Sequence, residues 1–178
     1  MNDHTCYNTD GSGIIGNASR VIFPKNNEEV QKAVSTNNNI VPRGAGTNLM
    51  GSVIPDNSLV ICMKKMNLVG QLDKRNQIVY TEPGITIKEL NEKLKSAGFE
   101  LPLFTNNEST LGGMVARNEL SDLSGYGHIK DYLEEVDLIN SRGELLTLRK
   151  SDLDDVCGME GLTGIIVRIK LKIIPIEI

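Results

Sequence analysis

The chain has 178 residues, 39% of them hydrophobic and 24% charged, with a formal net charge of −4 and a pI near 5.3. That length buries a real core, as one ordinary domain or two small lobes sharing a cleft, and the balance is that of a globular chain rather than a disordered one. The acidic excess offers no basic field for nucleic acid or anionic lipid, so a bound phosphate has to be held by local geometry.

Met1–Asp10 is polar, carries Asp3 and His4, and lacks the basic start and apolar run of a secretory signal. Leu162–Ile178 is the most apolar stretch, but Arg168, Lys170 and Lys172 interrupt it, so no transmembrane segment is expected. These features predict a cytoplasmic protein. Cys6, Cys62 and Cys157 are too scattered for a disulfide framework or a C-x-x-C metal site and read as plain thiols.

In chain order, Val21–Phe23 is a short β-branched run. After Pro24, Asn26 or Asn27 caps a helix with Glu28 and Glu29 in its first turn and Val30, Ala33 and Val34 on its apolar face. The Asn37-Asn38-Asn39 triplet ends it, and Ile40-Val41 is a brief strand running into a glycine loop. Ser58–Met63 predicts another strand, and Val69–Leu72 with Gln77–Thr81 a hairpin through Asp73–Asn76, broken by Pro83-Gly84.

Thr86-Ile87-Lys88-Glu89 is a capping box, opening a helix with Ile87, Leu90, Leu94 and Ala97 on one face that stops at Gly98. Val136–Ile139 and Leu145–Leu148 flank Ser141-Arg142-Gly143 as a second hairpin, and Asp152–Val156 reads as a short helix. Val167, Ile169, Leu171 and Ile173 alternate with Arg168, Lys170 and Lys172, the period of a strand covered on one face. The expected class is α+β: a small strand–helix–strand lobe over residues 1–62, then a larger, mainly antiparallel sheet lobe with helices over 63–178.

Four glycine-rich segments are the candidates for chemistry. In Pro42-Arg43-Gly44-Ala45-Gly46-Thr47-Asn48-Leu49-Met50-Gly51, glycines let successive N–H groups converge on a phosphate oxygen, and Thr47 and Asn48 add side-chain donors. The spacing is neither G-x-G-x-x-G nor a P-loop, and taken alone the segment reads equally as an ordinary tight turn. Arg43 suits a phosphate contact or a surface salt bridge. Glu82-Pro83-Gly84-Ile85-Thr86 is a turn feeding the capped helix.

In Ser109–Asn118, followed by Tyr126-Gly127, the adjacent Gly112 and Gly113 cost a helix about 1 kcal/mol each. Something must therefore approach that backbone, or the segment must bend sharply. Gly158–Ile166 sets three glycines before the last strand, where amides can meet a planar ring. His128 reads as a loop residue without a catalytic role. No catalytic triad, carboxylate pair or metal-ligand spacing is present, so any chemistry belongs to a bound cofactor.

Together, in this order, the four segments resemble the FAD-binding domain of the vanillyl-alcohol oxidase, or PCMH-type, superfamily, in its glycolate oxidase (GlcD-type) and D-lactate dehydrogenase-like branch. Pro42–Gly51 match its P-R-G-x-G-T-x-L-x-G loop, and Glu82–Thr86 approach its V-x-P-G-V-T turn. Thr110–Asn118 with Tyr126-Gly127 are similar to T-x-G-G-M-x-A-x-N and Y-G. Gly158, Glu160, Gly161, Gly164 and Ile165 match G-S-E-G-T-L-G-I. The resemblance runs from Val21 to Pro175.

It implies a two-lobed fold with FAD stretched between the lobes. Pro42, Arg43, Gly44, Ala45, Gly46, Thr47, Asn48 and Gly51 would form the diphosphate loop, with Pro83 and Gly84 along the cofactor. Thr110, Gly112, Gly113, Asn118 and Tyr126 would line the diphosphate and flavin side. Gly158, Glu160, Gly161, Gly164, Ile165 and Ile166 would meet the adenine or the ring edge. Covalent members attach flavin through a His in the first loop, where this chain has Thr47, so noncovalent FAD is expected. Met159, Leu162-Thr163 and Glu119-Leu120 depart from the pattern.

Family oxidases carry a further cap domain that holds the substrate, and the sequence stops at Ile178, where the flavin domain ends. The implied function is the FAD-binding domain of an oxidoreductase acting on a 2-hydroxy acid of glycolate or D-lactate type, completed by a cap domain or partner protein. Alternatives are a non-catalytic flavin-binding or electron-transfer subunit, and a domain like that of UDP-N-acetylenolpyruvoylglucosamine reductase.

Overall fold

The computed structural model describes residues 5–103 and 105–176; His4 lies outside them. The first unit is a three-stranded parallel sheet of β1 (Asn17–Ile22), β2 (Ile40–Arg43) and β3 (Asp56–Cys62), with β3 in the centre. β3 is central because it is the most apolar of the three, with Leu59, Val60, Ile61 and Cys62 all buried. Helix α1 (Asn27–Ser35) crosses from β1 to β2. Asn26 caps it by accepting the Glu29 N–H at 2.9 Å, and Val30, Ala33 and Val34 face inward.

The second unit is a four-stranded antiparallel sheet in the order β4 (Ile78–Thr81), β8 (Ile165–Lys172), β6 (Leu133–Ile139), β7 (Leu145–Leu148). Helix α2 (Ile87–Lys95) and the seven-residue helix α3 (Leu111–Arg117) cover one face of it. Strands β5 (Phe99–Glu100) and β9 (Ile174–Pro175) form a short separate pair. The main core joins Ile87, Leu90 and Leu94 of α2 and Met114 and Val115 of α3 to Val136, Leu138, Ile169 and Leu171 of the sheet. A smaller core sets α1 and β3 against Ile139, Ile165 and Val167, so the two units share apolar contacts.

The α+β class and the antiparallel second half stand as expected. The box at α2 forms in full: Glu89 N–H donates to Thr86 Oγ1 at 3.2 Å, and the Thr86 N–H donates to the Glu89 carboxylate at 3.0 Å. Two expectations change. Val69–Leu72 does not form a strand; it meets β4 through the isolated Val69–Thr81 bridge and the Gly70 N–H donating to the Tyr80 carbonyl at 2.8 Å, and Asp73 bridges to Ile78 at the turn. Asp152–Val156 is a 3-10 turn over Lys150–Asp155 rather than an α-helix. The Gly112-Gly113 segment, expected to bend or be approached, is approached: it forms the first turn of α3, with Gly112 directly against Pro83.

Hydrogen bonds from the Thr86 backbone and hydroxyl hold the Glu89 carboxyl below the usual carboxylate range. A depressed folded value stabilises the helix start above the ordinary carboxylate pKa and loses that contribution as pH falls through the folded value. Thr86→Ala should cost about 1 kcal/mol at pH 7, or about 2–4 °C in Tm, with the gap to the parent narrowing in acid melts. Burial pushes the Cys157 thiol up to about 11, and Cys62 is buried while Cys6 is exposed. An aromatic-disulfide titration at pH 8 should therefore count one rapid thiol in the native chain and three after denaturation.

Candidate cofactor site

β2 delivers the chain into the Gly44–Pro55 connection at the carboxyl edge of the parallel sheet, the edge where sheets of this kind present ligand sites. There a cleft, open to solvent, lies between that connection, α3 and the turn before β8.

Sixteen of the residues expected from the sequence line it: Pro42, Arg43, Gly44, Ala45, Gly46, Thr47, Asn48, Pro83, Thr110, Gly112, Gly113, Glu160, Gly161, Gly164, Ile165 and Ile166. Five do not. Gly51 packs beside Ile14, and Gly84 lies against the Met63 and Met66 carbonyls. Asn118 is the left-handed C-cap of α3 at φ 48°, and Gly158 sits next to it. Tyr126 is on an exposed loop, where its carbonyl accepts the Tyr132 hydroxyl at 2.6 Å.

Ser52, Val53, Met63, Ser109, Ala116 and Arg117 also line the cleft and were not anticipated. Gly112, Gly113, Ala116 and Arg117 share one face of α3. Helical spacing would have found the last two had the segment been read as a helix.

The walls are cross-tied. Thr47 and Ser109 hydroxyls lie 3.1 Å apart, and Gly112 N–H donates to the Pro83 carbonyl at 2.8 Å. Gly112 has no side chain to hold that contact open: a Cβ there would stand 2.6 Å from the Pro83 Cβ. The buried Asn48 amide donates to Ser52 Oγ at 2.5 Å and to the Glu160 carboxylate at 3.3 Å, and its oxygen accepts the Met50 N–H at 2.5 Å. Glu160, itself at φ 53°, donates its N–H to the Ala116 carbonyl at 2.8 Å.

Arg43 is not a surface side chain. Its guanidinium is buried, donating from Nη2 to the carbonyls of Thr9 at 2.7 Å and Cys6 at 3.3 Å, with the Tyr7 ring 5.6 Å away. It brackets the N-terminal segment beneath the loop. Gly46 adopts φ +76° directly over that guanidinium, which a Cβ would strike. His128 is exposed, with Nδ1 2.9 Å from the Asn118 carbonyl, and does not line the cleft.

Two cleft-lining side chains each carry a donor that is left over. Arg43 Nη1 and Arg117 Nε are buried with no hydrogen-bond partner among the described residues. Unmet buried donors are costly, so a site with them suits an acceptor-rich ligand. Hydroxyls, glycine amides and an apolar wall from Val53, Met63, Ile165 and Ile166 complete a set that fits a dinucleotide with a planar ring.

The profile of the family described as FAD binding domain matches residues 18–149. The chain belongs to this family. Its cofactor is FAD. The chain is 28% identical over 173 residues to the glycolate oxidase subunit GlcD of Bacillus subtilis, covering 87% of this chain and 37% of that protein. It is 32% identical over 168 residues to the mitochondrial D-lactate dehydrogenase [cytochrome] of Arabidopsis thaliana, covering 86% and 30%. A solved structure of alkyldihydroxyacetonephosphate synthase superposes with a TM-score of 0.81 at 28% identity, covering 87% of this chain and 31% of that one. The chain thus spans about a third of the length of the relatives it matches.

Removing the bracket tests its role. Arg43→Ala should lose about 1.5–3 kcal/mol of stability, the range for hydrogen bonds to a charged group. In hydrogen exchange, the Gly16 and Ala18 amides, which bond to Asn8, should exchange faster; unchanged protection there would show that Arg43 does not hold the segment.

Proposed function

We propose that this chain is the FAD-binding part of a flavin-dependent oxidoreductase acting on a 2-hydroxy acid of the glycolate or D-lactate type. The observation that carries the reading is the cleft: three glycine segments converge on it, and two of its lining residues, Arg43 and Arg117, each keep a buried N–H without a partner among the described residues. The named activities of the relatives supply the substrate class.

In this reading the cleft separates two lobes, residues 1–62 and 63–178. The Pro42–Asn48 loop, with the Thr47, Ser109 and Thr110 hydroxyls, holds the diphosphate. Gly112 and Gly113 bring the backbone of α3 close, and Glu160–Ile166 closes the opposite wall. Val53, Met63, Ile165 and Ile166 exclude water. Glu160 is committed to Asn48 and so orients the loop rather than moving a proton. Attachment is noncovalent, because the loop offers Thr47 where covalent relatives offer an imidazole.

When bound, FAD supplies the two-electron oxidant. The groups that grip the hydroxy acid belong to a cap domain or partner protein, because the relatives named for such substrates are about three times longer. A cytoplasmic location fits three unpaired thiols.

Purified chain mixed with FAD should turn yellow, melt at a higher temperature and release unmodified FAD in acid; colourless protein without a thermal shift would overturn the reading. Gly46→Val, which strains φ and displaces Arg43, should weaken FAD binding at least tenfold more than Arg43→Ala. Completed by its cap or partner, the FAD-loaded protein should bleach anaerobically with glycolate or D-lactate. FAD binding without bleaching by any 2-hydroxy acid would favour an electron-transfer role instead.

A further inference from the structure

Arg117 is set apart from the other cleft residues by its position and its partner. The start of α3 meets the phosphate loop, through Ser109 on Thr47 and Thr110 beside Gly44. Arg117 closes the same face at the other end, roughly 10 Å further along the axis at 1.5 Å per residue. Its side chain is 22% exposed, and Nη2 pairs with the Glu119 carboxylate at 2.8 Å, leaving the buried Nε–H without an acceptor among the described residues.

Glu119 is itself fixed. Its other oxygen accepts the Thr105 hydroxyl at 2.9 Å, its N–H donates to the Met114 carbonyl at 3.0 Å, and its carbonyl accepts the Ile129 N–H at 2.8 Å. The pair is therefore a braced cation in the cleft wall, not a swinging surface contact.

We infer that the Arg117 guanidinium, braced by Glu119, faces the isoalloxazine end of bound FAD and favours the reduced ring over the oxidised one. This rests on the reading of the cleft as the FAD site. Arg117 lies at the end of α3 away from the phosphate loop, so a ligand group beside its guanidinium belongs to an end of the cofactor rather than to the diphosphate. Adenine presents neutral acceptors of constant charge. The carbonyl edge of the ring gains negative charge on reduction, which a desolvated cation stabilises and a neighbouring carboxylate tempers.

The test compares the full chain, Arg117→Met, Arg117→Lys and Glu119→Gln, each loaded with FAD and reduced at equilibrium with a reference dye. Arg117→Met should lower the ratio of reduced to oxidised FAD affinity at least tenfold, a potential about 30 mV more negative for a two-electron couple. Arg117→Lys should recover most of that loss, and Glu119→Gln should shift the potential the opposite way. ADP affinity should stay within twofold throughout.

An unchanged potential in the FAD-loaded Arg117→Met and Glu119→Gln proteins overturns this inference alone. So does a tenfold loss of ADP affinity at constant potential, which would put Arg117 at the adenine. Failure of the parent chain to take up FAD overturns the cofactor reading and this inference with it. Should circular dichroism show Arg117→Met unfolded, Glu119→Gln, which keeps its Thr105 partner, decides by the sign of its shift.

Discussion

The side chain of Asn48 ties together segments that the sequence keeps far apart. One buried amide closes the Met50 turn with its oxygen and reaches Ser52 and Glu160 with its nitrogen. A buried amide leaves few of its hydrogen bonds unmade, so its burial demands that the glycine loop and the turn before β8 approach each other. Glu160 passes the constraint on, since its N–H is held by the Ala116 carbonyl at the end of α3. Loop, turn and helix are positioned by one short chain of polar contacts, and the cleft is the space they leave between them.

Those contacts need rigid supports, which the two cores supply. The smaller core is not private to the parallel sheet: Ile139, Ile165 and Val167 of the antiparallel sheet pack into it beside Val30 and Val34 of α1. Gln31 also reaches across to the Gly143 carbonyl at 2.8 Å. Moving one sheet against the other would open close-packed apolar surface, which proteins resist. The cleft walls are therefore fixed by packing behind them as well as by hydrogen bonds across them.

Much of this was legible from local patterns. The capping box at Thr86, the Asn26 cap and the alternation of β8 depend on residues within one or two turns of each other, so the sequence displays them directly. The glycine loop was ambiguous by itself and became readable only with its three partner segments. What could not be read depended on distant contacts. α3 forms despite its paired glycines because Leu111, Met114 and Val115 are fully buried in the main core, and Gly112 must be small to meet Pro83; tertiary packing overrides propensity there. Likewise, the grip of Arg43 on the N-terminal segment was hidden because its partners, the carbonyls of Cys6 and Thr9, carry no side-chain signature.

The outer face of the antiparallel sheet shows how the cleft keeps its far wall in register. Glu135 and Asp137 of β6 are buried carboxylates, and Arg168 of β8 bridges both, at 3.1 Å and 2.8 Å, while Arg149 meets Glu135 at 2.7 Å. Such pairs add little net stability, because desolvation offsets their attraction, but breaking one strands a buried charge. The β6–β8 ladder carries irregularities between Leu133 and Glu135 and between Asp137 and Leu138, where slippage would otherwise be easy. A slip of one residue would carry Arg168 to the opposite face and exchange the faces of Ile165 and Ile166. The charge network thus fixes which apolar side chains of β8 line the cleft.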